Sequence, residues 1–217
     1  MAQTDAMNAH SHVAHHFVDA EQQFDSAKMG MWVFLVTEIL FFGGLFVAYI
    51  VYRAWNPELF TLAATQLDTV MGGINTLVLI GSSLTMALAI RFAQTDDITN
   101  SIRMLALTIL AAVIFMVIKY FEYTHKFHIG IFPGEAYTFE GIDHPKAHIF
   151  FSIYYMMTGL HGIHVVIGIG LIGWLILKAR QGAYGSHYYT PIEITGLYWH
   201  LVDIIWIFLF PLLYLID

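Results

Sequence analysis

The chain has 217 residues, 58% of them hydrophobic and 12% charged, whereas a soluble domain carries roughly 25% Asp, Glu, Lys and Arg. So few charges cannot coat a water-exposed globule, which argues against a soluble enzyme, a nucleic-acid binder and a disordered protein. The net charge of −7 and pI near 5.9 also argue against polyanion binding, which neutralises phosphates with clustered Lys and Arg. A mean hydropathy of +0.66, and 16% aromatics including 12 Tyr and 5 Trp, suit an integral membrane protein whose amphipathic rings anchor two interfaces. The absence of Cys removes disulfides, thiolate metal sites and Cys nucleophiles, and leaves the redox compartment open.

Residues 1–28 are polar and contain four acids, unlike a cleavable signal peptide or a basic transit peptide. Within them His10, His12, His15 and His16 offer weak transition-metal binding, set against the more ordinary reading of a solvated tail. Residues 29–217 then predict an all-α polytopic domain. A helix crossing roughly 30 Å of hydrocarbon needs about 20 mostly apolar residues, and five stretches supply one, at about 29–52, 69–92, 101–123, 147–178 and 194–216. The third is the weakest. Its apolar centre, 104–118, reaches membrane thickness only if Arg103 and Lys119 snorkel to opposite interfaces, so a four-helix bundle is the fallback. Asn56-Pro57, Thr95-Asp96-Asp97, Phe132-Pro133-Gly134, Asp143-His144-Pro145 and Pro191 mark the connections. Lys28, Arg91, Arg103, Lys178 and Arg180 fall near one face and Arg53, Lys119, Lys126 and Lys146 near the other, a feeble vote for a cytoplasmic N-terminus.

Ionisable side chains inside a membrane are costly and usually face the bundle interior with a partner. They are Glu38 on the first span, His161 and His164 on the fourth, and His200 and Asp203 on the fifth, with Glu122 where the third span leaves the core and Glu193 just before the fifth. Each of the pairs His161/His164 and His200/Asp203 lies on one helix face, being three residues apart. At about 1.5 Å rise per residue, Glu38 and Asp203 lie on the same side of mid-membrane and the two His nearer its centre, so an acid and the His pair meet if these helices are neighbours. Three readings fit: a metal or haem site, a proton relay through a buried Glu38, and a hydrogen-bonded network that locks helices together. The bundle di-iron signature Glu-x-x-His is absent, which disfavours the metal site. The network is favoured by Gly43-Gly44, Gly72-Gly73, Gly81-Ser82-Ser83 and the run Gly159, Gly162, Gly168, Gly170 and Gly173, small residues that let helices approach closely.

Four strings then resemble subunit III of the haem-copper respiratory oxidases. They are Gly30-Met31-Trp32 through Thr37-Glu38-Ile39-Leu40-Phe41-Phe42-Gly43, Lys119-Tyr120-Phe121-Glu122-Tyr123, Thr158-Gly159-Leu160-His161-Gly162-Ile163-His164-Val165, and Tyr198-Trp199-His200-Leu201-Val202-Asp203-Ile204-Ile205-Trp206. They occur in the family's order and cover essentially the whole chain after the tail.

The resemblance implies a subunit without haem, copper or any active site of its own. Such a subunit packs on the catalytic subunit I, holds phospholipids between its helices and supports proton uptake and sustained turnover of an oxidase that pumps protons and reduces oxygen to water in aerobic respiration. Haem and copper are then expected in partner subunits I and II, with a small subunit IV and a respiratory supercomplex as further partners and no nucleic acid. Family members with seven helices match here through their last five, so one wall of the lipid cleft falls to another chain or to lipid. By position, Glu38, Glu122, His161, His164, Glu193, His200 and Asp203 correspond to family residues expected to be structural or proton-tuning. Family topology implies a bacterial inner membrane protein with a cytoplasmic N-terminus and an outside C-terminus. The first-span motif with Glu38 favours a cytochrome c oxidase; short quinol-oxidase subunits with His-rich tails, and accessory proteins of nitric oxide reductases, remain as alternatives.

Overall fold

The computed structural model describes residues 17–142 and 144–216; His10, His12, His15 and His16 lie outside the described residues. Three of the helices start where an Asp side chain accepts hydrogen bonds from backbone N–H groups that have no partner within the helix. Asp19 takes that of Gln22 at 2.7 Å to open α1 (Ala20–Trp55). Its helix-favouring Glu21, Gln22, Gln23 and Ala27 carry it outward from the apolar stretch. Pro57, whose missing N–H costs nothing in a first turn, begins the short α2 (Pro57–Ala64), which buries Leu59 and Phe60. The Asn56-Pro57 turn signal alone does not predict this helix. Asp68 caps α3 (Thr69–Gln94) and Asp97 caps α4 (Ile98–His128). A loop with one 3₁₀ turn (Gly134–Ala136) leads to α5 (Ala147–Arg180), and a second loop to α6 (Thr190–Tyr214).

Helices α1, α3, α4, α5 and α6 are each long and apolar enough to cross a membrane, so the chain is an all-α polytopic bundle. The weak third span becomes one of its longer helices, with 31 residues in α4, about 46 Å at 1.5 Å per residue. Its expected snorkelling is corrected at one end. Lys119 is 6% exposed and turns into the bundle, because oxygen partners wait there.

Helix α6 is the central element. Its most apolar stretch is 56% buried, against 17–28% in the other four spans, and it packs on α1, α3 and α5. Trp199 and Trp206, both fully buried, project from it, with indole N–H groups donating to Ser82 Oγ at 3.0 Å and Thr76 Oγ1 at 3.1 Å on α3. Close approach needs glycine where these rings land. A Cβ at Gly168 would lie 2.6 Å from the Trp199 ring, and one at Gly72 2.7 Å from Phe210. Gly43, Gly44, Gly81, Gly170 and Gly173 face open space, so only part of the small-residue pattern serves contacts within the chain.

At the membrane face shared by the α3–α4 and α5–α6 connections, Asp96 adopts a left-handed φ of 63° and its Oδ1 accepts the Ser186 backbone N–H at 2.8 Å. That hydrogen bond holds the Asp96 carboxyl below its ordinary pKa. A depressed carboxyl pKa contributes stability that is present above the unfolded-state value and is lost as pH falls through the folded-state value. Hydrogen exchange of the Ser186 amide is therefore expected to be protected at neutral pH and to lose protection in acid. Asp96→Ala should abolish that protection at every pH, whereas Asp96→Asn, which tolerates the same φ and keeps an acceptor, should retain most of it.

Candidate functional site

The seven polar residues singled out in the sequence do not form one site. Glu38 and His164 meet: Nε2 of the imidazole lies 3.0 Å from Glu38 Oε2, tying α1 to α5, with the side chains 17% and 13% exposed. Nδ1 of His164 lies 2.9 Å from the Leu160 carbonyl oxygen. The two ring nitrogens thus each face an oxygen atom, one on α1 and one in the backbone of α5 itself. Phe42 packs edge-on against the ring at 5.2 Å.

His161 does not join this pair. It is fully buried, directs Nε2 at the Val202 carbonyl oxygen of α6, 3.1 Å away, and sits between the rings of Phe115 and Trp206. His200 and Asp203 leave α6 toward adjacent serines of α3. His200 Nδ1 lies 2.6 Å from Ser83 Oγ, and Asp203 Oδ2 lies 3.3 Å from Ser82 Oγ, the same hydroxyl that accepts from Trp199. Glu193 forms an ion pair with Lys28 at 2.8 Å, joining the start of α6 to α1.

Glu122 is the centre of the densest polar cluster. Its Oε1 accepts from Lys126 Nζ at 2.9 Å and from the Tyr154 and Tyr214 hydroxyls, each at 2.7 Å. Oε2 accepts from Lys119 Nζ at 2.8 Å, and Lys119 also donates to Tyr214 at 2.8 Å and Tyr154 at 3.1 Å. Three helices, α4, α5 and α6, are joined by these bonds, and all five side chains are buried. Lys119, Lys126, Tyr154 and Tyr214 were not among the residues expected to act with Glu122. The spacing Lys119-x-x-Glu122-x-x-x-Lys126 carries the i,i+3 and i,i+4 signal of an ion-pair triad, but the same spacing marks an exposed helix end.

Among the described residues no three His, Cys, Asp or Glu side chains gather closely enough to hold a metal ion. The three intramembrane imidazoles instead point at oxygen atoms of neighbouring helices or of their own. What this arrangement does chemically is to link helices across the bundle.

The class is therefore a polytopic helical membrane protein whose intramembrane polar residues join its spans. The family model described as cytochrome c oxidase subunit III matches residues 5–217, and the chain belongs to that family. It is 33% identical over 203 residues to cytochrome c oxidase subunit 3 of Thermostichus vulcanus, covering 91% of this chain and 90% of the relative. It is 30% identical over 199 residues to heme-copper oxidase subunit I+III of Aeropyrum pernix, covering 88% of this chain and 23% of that protein. A probable quinol oxidase subunit 3 of Staphylococcus haemolyticus is 26% identical over 189 residues, covering 87% of this chain and 88% of the relative.

Proposed function

We propose that the chain is the non-catalytic subunit III of a bacterial cytochrome c oxidase, packing on subunit I, holding phospholipid and supporting proton uptake and sustained turnover. The family match over 5–217 carries this reading. The Aeropyrum pernix relative, named for subunits I and III together, supports subunit I as the direct partner, with haem and copper residing in subunits I and II. For the electron donor, cytochrome c is favoured over quinol by the higher identity of the Thermostichus vulcanus subunit than of the quinol-oxidase subunit. A cytoplasmic N-terminus in a bacterial inner membrane draws support from burial. With Lys119 and Lys126 inside the bundle, the membrane face reached by the C-terminal end of α1 keeps only Arg53 and Lys146 of its four basic residues, against five on the other face.

Purification of the native complex tests the proposal. The chain should co-migrate with a haem-copper subunit I, and the complex should oxidise reduced cytochrome c; failure to co-migrate refutes the assignment, and oxidation of quinol alone reassigns the donor. In the same preparation Glu38→Gln is expected to assemble, because an amide still bonds to His164 Nε2. It is expected to lower severalfold the number of turnovers completed before inactivation, because an amide is a weaker partner for the imidazole than the carboxyl group that ties α1 to α5. An unchanged turnover lifetime would remove Glu38 from the proton-tuning role.

A further inference from the structure

Three buried side chains on three helices carry polar atoms with no hydrogen-bonding partner among the described residues: both amide atoms of Asn75, Nδ1 of His161 and Oδ1 of Asp203. Asn75 and His161 are fully buried. An unpaired polar group in a low-dielectric interior is costly, and native interiors meet such groups with protein atoms or ordered water. All three border one stretch of α6. His161 directs its other ring nitrogen at the Val202 carbonyl oxygen, and Asp203 is the next residue. The Trp206 ring packs 5.1 Å from the His161 ring, and its indole N–H is bound to Thr76, the neighbour of Asn75 in α3. Val202 and Trp206 are separated by about 6 Å of helix rise.

Asn75 has the largest deficit. Its side chain offers two N–H donors and an oxygen with two lone pairs, and it belongs with Gly72, Leu79 and Ser82 to the buried stripe of α3. The hydroxyl beside it is already committed, since Thr76 Oγ1 donates to the Gly72 carbonyl at 2.9 Å and accepts from Trp206. A water molecule both donates and accepts. It therefore suits the amide oxygen, the amide hydrogens and the ring nitrogen alike, and it is small enough to sit among groups that have no exposed surface.

We propose that the bundle core around Trp206 is a binding site for ordered water, with the Asn75 amide as its principal ligand and Nδ1 of His161 as the second. Oδ1 of Asp203, almost one turn before Trp206 on α6, extends the same polar layer. The site depends only on how α3, α5 and α6 pack, so it stands or falls separately from the oxidase assignment. The full-length chain, labelled with ¹³C and ¹⁵N and reconstituted in phosphatidylcholine vesicles, is studied by solid-state NMR with magnetisation passed from water protons to nearby side chains. Water cross-peaks are expected at the Asn75 NH₂ group and at the His161 ring. The backbone amide of Ile172, fully buried on α5 and about three turns beyond His161, should show none. Asn75→Leu puts an apolar side chain of similar size in place of the principal ligand and should weaken the His161 cross-peak severalfold. Should that variant fail to fold, the wild-type spectrum decides. Absence of a water contact at either group in the wild type, or a His161 cross-peak unchanged in Asn75→Leu, overturns the proposal.

Discussion

Glu122→Gln is expected to destabilise the bundle by about 3–5 kcal/mol, the usual cost of removing one member of a buried ion pair. The carboxylate accepts four hydrogen bonds, two from Tyr154 and Tyr214 and two from the lysines. An amide at this position would leave two ammonium groups at the end of the bundle without a counter-charge, and its NH₂ would face donors. Lys119→Met should cost distinctly less. It leaves Lys126 and Glu122 matched one to one, and both tyrosine hydroxyls keep their bond to Oε1. The comparison is made by thermal unfolding of the purified chain in detergent. If Lys119→Met proves as damaging as Glu122→Gln, charge balance is not what holds α4, α5 and α6 together there.

Gly168→Ala should destabilise the contact between α5 and α6 by about 1–3 kcal/mol, the cost of forcing an added carbon into a packed core. The new Cβ would lie 2.6 and 2.7 Å from two atoms of the Trp199 ring. The indole has no room to yield, since it is fully buried and its N–H is bound to Ser82 Oγ. Any swing of the ring would take that bond from the hydroxyl that also faces Asp203. The matched control is Gly170→Ala on the same helix, where nothing lies within 4 Å; there the better helix propensity of Ala, up to about 1 kcal/mol, should be neutral or stabilising in the isolated chain. Unfolding midpoints of the two variants give the test. Equal midpoints would mean that α5 and α6 can separate at Gly168 at no cost.

The motifs of the sequence located the polar residues along the chain more successfully than they paired them. Glu38 and His164 were placed at similar membrane depth by counting residues, and they do meet. His161, three residues earlier, was expected beside them and turns instead to the backbone of α6. Two residues three positions apart on a helix differ by about 60° of rotation, and the rotation of α5 between α1 and α6 assigns one histidine to each neighbour. The pair His200 and Asp203 shows the reverse, with both side chains reaching the same helix through the consecutive serines Ser82 and Ser83.

Membership of the membrane class, every span but the weak third one, and the resemblance to oxidase subunit III were determined by the sequence alone. Long runs without charge have no other stable environment than lipid, and the four motifs stand in linear order. Whether a given charge ends a span or enters the bundle was decided only by tertiary structure. Lys119 and Lys126 have the composition and spacing of interface lysines, yet both are buried. Their position depends on Tyr154, 32 residues beyond Glu122, and Tyr214, 92 residues beyond it, and on α5 and α6 arriving with those hydroxyls facing α4. Local sequence sets which residues are polar; the packing of distant helices sets whether the low-dielectric interior offers them partners.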